Sequence, residues 1–142
     1  MKNLRAVFMV MTLLTYSSCT KNNDDPSPSC LNTAIENNSQ YQNAESALFD
    51  VNDISIDGDC LTINYSASGC DGSTWQMQLY DSEDILESSP PQRNLRFVLF
   101  NNEACLAYIT KDPPFDISNL QVEGGQVILN IVNNNSSITY SY

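Results

Sequence analysis

Histidine does not occur anywhere in this chain of 142 residues. Its absence excludes Ser-His-Asp and Cys-His catalysis, as well as metal sites that use histidine ligands. Walker-type phosphate loops and GxGxxG turns are also missing. Hydrolysis by two carboxylates would need a marked pair among seventeen acidic residues, and the sequence marks none. We therefore expect a protein that is not an enzyme and that needs no cofactor.

Basic residues are scarce as well. The formal net charge is −11, and only four bases follow residue 18, whereas all seventeen acidic residues do. Such a chain is repelled by nucleic acid and by anionic headgroups, so we expect no nucleic-acid partner. Solubility accounts for this acidity, and a functional reading would be a cation or a cationic partner.

The N-terminal residues have the order of an export signal. Lys2 and Arg5 precede an apolar run, Ala6 to Leu14, which is shorter than the about 20 residues that span a bilayer. Tyr16-Ser17-Ser18-Cys19 then resembles the lipobox of bacterial lipoproteins, with Tyr16 where the family usually has an aliphatic residue. The resemblance implies a signal peptide over residues 1–18 and acylation of Cys19. The alternative is an ordinary secretory signal cleaved near Ser18.

Residues 19–29 are polar, contain two prolines and hold no aliphatic residue. Such a segment cannot bury a core, so we predict a flexible tether. Its Lys21 and Asp24-Asp25 look like the export signal of surface lipoproteins of the Bacteroidetes type. We expect a lipoprotein of the bacterial outer membrane, surface-exposed or facing the periplasm, attached to the membrane through its lipid.

Four cysteines remain in the folded part, which we predict to be one domain over residues 30–142. An even number in an exported domain favours two disulfides. Cys60 and Cys70 bracket a predicted strand and so lie too far apart to bond. We prefer Cys30–Cys60 with Cys70–Cys105, and Cys30–Cys70 with Cys60–Cys105 is the alternative.

From Leu48 onward the apolar residues alternate with a period of two. Seven or eight short strands follow, separated by turn signals such as Asp57-Gly58 and Gly124-Gly125. Asp81–Asp84 and Asp112-Pro113-Pro114 are expected to break strands, and residues 31–47 are ambiguous. The pattern predicts an all-β protein, an antiparallel β-sandwich of immunoglobulin-like topology with a jelly-roll as the alternative.

Two acidic groups are candidates for calcium, which takes oxygen ligands. Asp57, Asp59 and Asp71 flank the central strand, and a second group lies at residues 81–84, but turn chemistry explains such aspartates better. Tyr80 falls on the polar side of its strand and is the aromatic most expected to be exposed. Arg93 and Arg96 are expected to pair with acids such as Glu87, Glu103 or Asp116. No metal site is predicted, and the ligand-binding residues stay unknown.

Several segments together resemble a group of small Bacteroidetes-type lipoproteins without an assigned function. They are DCLTINYSASGCDG, NEACLAYITK and FDISNLQ, within residues 48–142. The resemblance implies no activity. We therefore predict an envelope binding or accessory module with a protein or a glycan as partner, its binding surface expected on loops. The alternatives are a small glycan hydrolase that uses carboxylates, or an inhibitor of an exported enzyme.

Overall fold

A computed structural model describes residues 30–142 of the chain. The predicted signal peptide, the lipidation of Cys19 and the tether lie outside these residues. The described part contains ten strands, one α-helix and one 3₁₀-helix at Ser118–Leu120. In chain order the elements are β1 Asn32–Thr33, β2 Ile35–Glu36, α1 Asn38–Asn43, β3 Asp50–Asp57, β4 Cys60–Gly69, β5 Gln76–Leu86, β6 Gln92–Phe100, β7 Ala107–Lys111, β8 Pro114–Asp116, β9 Gln126–Ile131 and β10 Ser136–Ser141.

The strands form two five-stranded sheets that pack face to face. In the first sheet, β4 pairs with β3 on one side and with β7 and β8 on the other, and β8 also pairs with β1. The second sheet has the order β10-β9-β6-β5-β2. Most pairs are antiparallel, while β1–β8, β2–β5 and β6–β9 are parallel. The predicted all-β sandwich of two packed sheets is confirmed.

The core lies between the sheets, where alternating side chains from both meet. Tyr65, Phe97 and Phe115 are fully buried, and Tyr65 and Phe97 lie with ring centroids 4.9 Å apart. Burial raises the pKa of Tyr65 to about 12, because an ionised phenolate would lose its hydration there. The predicted alternation of β4 is confirmed, since Leu61 and Ile63 point into this core.

Two disulfides close the domain, with the preferred pairing. Cys30 bonds to Cys60 with Cα atoms 5.6 Å apart, and Cys70 bonds to Cys105 with Cα atoms 4.7 Å apart. The first ties the start of the domain to β4, and the second ties the turn after β4 to the loop before β7. Disulfides of this kind indicate an oxidising compartment outside the cytoplasm.

One local prediction is corrected by the structure, and one ambiguous region is resolved. The acidic stretch Asp81–Asp84 does not end its strand, because β5 continues to Leu86 through a bulge at which Glu83 has a positive φ of 64°. The predicted break at Asp112-Pro113-Pro114 is confirmed, because β7 ends at Lys111 and Pro114 begins β8, a first position that proline tolerates. Residues 38–43 form a helix, begun by the Asn37 side chain, which accepts a hydrogen bond from the Gln40 amide. Among residues 30–142, no helix is both long and apolar enough to cross a membrane.

Candidate binding face

The outer sides of the two sheets differ in their surroundings. On the second sheet, Tyr80 and Val98 point outward, but both are buried because Tyr41 and Ala44 pack over them. The Arg96 guanidinium donates to the carbonyls of Tyr41 and Ala44 at 2.8 and 2.9 Å and so fixes α1 on the sheet. The helix and the residue after it therefore close the middle of this face.

The outer side of the first sheet is polar and open to solvent. Residues directly opposite in an antiparallel pair share a face, so the register places Asp50 and Thr110 beside Ser66, and Tyr108 beside Ser68. We call this surface the open face. Its members are Asp50, Asn52, Asp53 and Ser55 from β3, Thr62, Asn64, Ser66 and Ser68 from β4, and Tyr108 and Thr110 from β7.

Side chains of the open face are hydrogen-bonded to one another across the three strands. The Asn52 amide donates to Asn64 and to Ser66, and the Ser66 and Thr110 hydroxyls lie 2.7 Å apart. Ser66 is 3% exposed although it points away from the core, because these neighbours surround it. A network of this kind holds the surface in one conformation before any ligand arrives.

A shallow groove of about 300 Å³ lies at the end of the open face where β3 begins. Leu48 and Tyr108 line it with 94% and 62% of their surfaces exposed, and Asp50, Ser66 and Ser68 are among its polar lining residues. The Tyr108 hydroxyl donates to Asp50 Oδ2 at 2.7 Å. This bond to Asp50 raises the pKa of Tyr108 and fixes the ring at the edge of the groove.

The loop that leads into β7 is held by a carboxylate, in an arrangement that we call the Glu103 clasp. Glu103 Oε2 accepts from the backbone amides of Cys70, Asp71 and Gly72 at 2.6 to 3.2 Å, and Oε1 accepts from the Thr74 amide and hydroxyl. Gly72 has a φ of +69°, which lets successive amides converge on one anion. The bond from the Thr74 hydroxyl, with those from the amides, lowers the pKa of Glu103 to about 2.

A buried ion pair lies near the other end of the domain. Arg93 Nη1 donates to Asp81 Oδ1 at 2.8 Å and to Glu36 Oε2 at 3.3 Å, and Asp81 is fully buried. Burial raises the pKa of Asp81, against the lowering effect of the Glu83 amide and Arg93. Arg93 therefore pairs with carboxylates as predicted, but its partners are Asp81 and Glu36. The pairing predicted for Arg96 is wrong, because Arg96 donates to backbone carbonyls.

The calcium candidates are not brought together. Asp59 accepts from the Tyr140 hydroxyl at 2.5 Å and lies beside the Asp57-Gly58 turn, whereas Asp71 lies beyond the far end of β4 and accepts from the Ser73 amide. Within residues 30–142, no three His, Cys, Asp or Glu side chains are grouped to hold a metal ion. These aspartates shape turns and hydrogen-bond local groups.

The aromatic prediction for Tyr80 is wrong, because α1 lies over it and leaves it only 8% exposed. Sequence reasoning did not group the residues that line the groove. The alternation of Thr62, Asn64 and Ser66 with core residues was a signal for a polar face, but it gave no register with β3 or β7. Tyr108 and Asp50 are 58 positions apart, and only the pairing of three strands brings them into contact.

No protein-family model matches this chain, and no curated protein does. Two solved structures resemble it. One is from Parabacteroides distasonis and is provisionally named a toxin-related protein, with 14% identity and a TM-score of 0.54 over 80% of this chain and 61% of the other. The second is a protein of unknown function, DUF1344, from Bacteroides vulgatus, with 14% identity and a TM-score of 0.49 over 78% and 57%. This chain thus spans about three fifths of the matched chains, and the likeness concerns the fold alone.

Proposed function

We propose that this protein is a lipid-anchored component of the bacterial cell envelope and that it acts as a binding module without enzymatic activity. Two disulfides support an oxidising compartment. The lipobox-like residues before Cys19 support an anchor. We assign partner binding to the open face of the first sheet.

The contrast between the two outer faces is the observation that carries this proposal. The second sheet hides apolar Tyr80 and Val98 under α1, as a structural face does. The first sheet instead exposes Asp50, Ser68 and Tyr108 around a groove with apolar walls. Apolar surface next to a few convergent polar groups is typical of ligand sites. The open face is therefore the binding surface, and it is built mainly from strands.

The anchor is tested by metabolic labelling with an alkyne fatty acid in cells that make the wild-type protein or Cys19→Ala. We expect label on the wild type and none on the variant, because the cysteine sulfur is the acylated atom. Equal labelling of both proteins would refute the anchor and would favour an ordinary secreted protein.

Use of the open face is tested by recovering partners from the native envelope with three forms of the protein. Ser68→Arg adds a long cation to the groove, and Thr139→Arg adds the same charge to an exposed position of β10 in the second sheet. We expect one stoichiometric partner with the wild type and with Thr139→Arg, and none with Ser68→Arg. Recovery by all three would remove the open face as the binding surface, and recovery by none would favour a purely structural role.

A further inference from the structure

We infer that the groove on the open face binds a lysine or arginine side chain from a basic segment of a partner protein. The inference rests on the proposed function, because it names the occupant of the same surface. Three features of the groove carry it: its walls, its free acceptor atoms and its uncompensated charge.

The walls of the groove suit the long apolar stem of a basic side chain. Leu48 and Tyr108 both line the groove, and 94% and 62% of their surfaces are exposed. Lysine and arginine stems cover apolar surface while their charged ends stay in polar surroundings. A cation that passes the Tyr108 ring also gains a cation–π attraction, about 0.5–1 kcal/mol at exposed sites.

The end of the groove offers acceptors for the charged end of such a side chain. The Tyr108 hydroxyl holds Asp50 Oδ2, which orients the carboxylate. Within residues 30–142, neither the second oxygen of Asp50 nor the Ser68 hydroxyl takes part in a hydrogen bond. An ammonium or guanidinium would therefore meet a pre-oriented carboxylate oxygen, and such charge-assisted bonds are about twice as strong as neutral ones.

The charge of Asp50 is not neutralised by a base of the domain itself. All three bases of the described part have other partners. Arg93 pairs with Asp81, Arg96 donates to the carbonyls of Tyr41 and Ala44, and Lys111 Nζ lies 5.7 Å from the centroid of the Trp75 ring. Asp53 adds a second carboxylate to the same face. A protein with a formal net charge of −11 repels anionic ligands and attracts basic ones, so the charge selects a cationic occupant.

The test is fluorescence anisotropy with the purified full-length chain in a neutral detergent. The probe is a short labelled peptide of glycine and serine around a central run of lysine and arginine. Its matched control replaces lysine by norleucine and arginine by citrulline, which keeps the length and removes the charge. We expect the basic peptide to bind and the neutral one not to bind, with affinity that falls as salt rises.

Variants assign the binding to the groove. Asp50→Asn is expected to weaken binding of the basic peptide about tenfold, because one charge-assisted hydrogen bond is lost. Tyr108→Ala is expected to weaken binding similarly. Tyr108→Phe should have a smaller effect, because it keeps the ring and loses only the hydroxyl that orients Asp50. Glu123→Gln, which removes one charge from the exposed turn before β9, is the matched control and is expected to change affinity less than about twofold.

Two outcomes would overturn the inference. If Glu123→Gln weakens binding of the basic peptide as much as Asp50→Asn does, the attraction comes from the net charge of the protein and not from the groove. The second outcome is that the basic peptide does not bind, whereas a neutral oligosaccharide from a panel binds to the wild type and loses affinity for Tyr108→Ala. The occupant is then a sugar. In that second case the open face keeps its proposed function, whereas failure of Ser68→Arg to block partner recovery would refute the function itself.

Discussion

Tyr80 and Tyr108 point outward from the two sheets, yet their surroundings are opposite. Tyr80 lies under α1 with 8% of its surface exposed, and Tyr108 stands at the groove with 62% exposed. Both are strand residues on the outer side of the sandwich, so the difference comes from what packs on each sheet. One outer face is covered by the fold, and the other remains exposed to solvent.

Polar contacts have different roles on the two outer faces. We call the outer side of the second sheet, under α1, the closed face. There Arg96 donates to two carbonyls at the end of α1 and so holds a helix in which no residue is fully buried. On the open face, Asn52, Ser66 and Thr110 bond to one another and leave the surface exposed. A helix this short is not stable alone, so the closed face depends on tertiary contacts.

The largest expected difference comes from the same substitution on the two faces. Tyr80→Ala should lower the free energy of unfolding by about 3 kcal/mol, because it leaves a cavity between α1 and the sheet. Tyr108→Ala should lower it much less, because its ring is largely in water. Urea unfolding of both variants measures the contrast, and equal losses would contradict the assignment of a closed and an open face.

A smaller effect is expected when the closed face loses its base. Arg96→Met removes two hydrogen bonds from a cation to carbonyls and should cost about 2 kcal/mol. Amide exchange over residues 38–44 should rise with it, since α1 loses its attachment. Lys111→Met is the matched control on the first sheet: it removes a cation from the Trp75 ring and should cost about 0.5–1 kcal/mol. Unchanged exchange in Arg96→Met would show that packing alone holds the helix.

Much of the sandwich could be predicted from local patterns. Period-two alternation gave β4 and β9, and the length of an extended strand excluded a bond between Cys60 and Cys70. The closed face could not be predicted in this way. Residues 38–43 read NSQYQN, a weak helix former, and they are helical because Asn37 caps them and Arg96 holds them from the sheet. The burial of Tyr80 follows from that helix and not from its own strand.

The candidate site was still harder to predict, because its residues are distant in the sequence. Nothing near Glu103 indicates that its carboxylate will meet the amides of Cys70 and Gly72. The Asp50–Tyr108 bond likewise needs β3, β4 and β7 to be in register. Turn and strand signals are local, whereas the groove arises from pairings between strands, so the sequence alone could name polar candidates without grouping them.

The Glu103 clasp offers a pH-dependent way to loosen the loop that leads into β7. The pKa of the Glu103 carboxyl is lowered from 4.5 to about 2. Its ionised form therefore stabilises the fold above pH 4.5, and this contribution disappears as the pH falls toward 2. Glu103→Gln should lose stability at neutral pH relative to wild type, and the gap should narrow between about pH 4.5 and 2. Urea unfolding across this range measures it, with Glu123→Gln as the control. A gap that is constant with pH would mean that the clasp does not depend on the charge.

The smallest expected effect is spectroscopic and concerns one bond in the groove. The pKa of Tyr108 is raised above 10.0, first by its hydrogen bond to Asp50 and then by desolvation and by the Asp50 charge. Asp50→Asn removes the carboxylate, so the pKa of Tyr108 should fall back toward 10.0. Carbon NMR of ring-labelled tyrosines follows this titration, and Tyr108→Phe assigns the signal by its disappearance. Stability should change little, because an exposed hydrogen bond contributes little. If Tyr108 titrates identically in both proteins, Asp50 is not held by the ring, and the groove presents no oriented acceptor to its occupant.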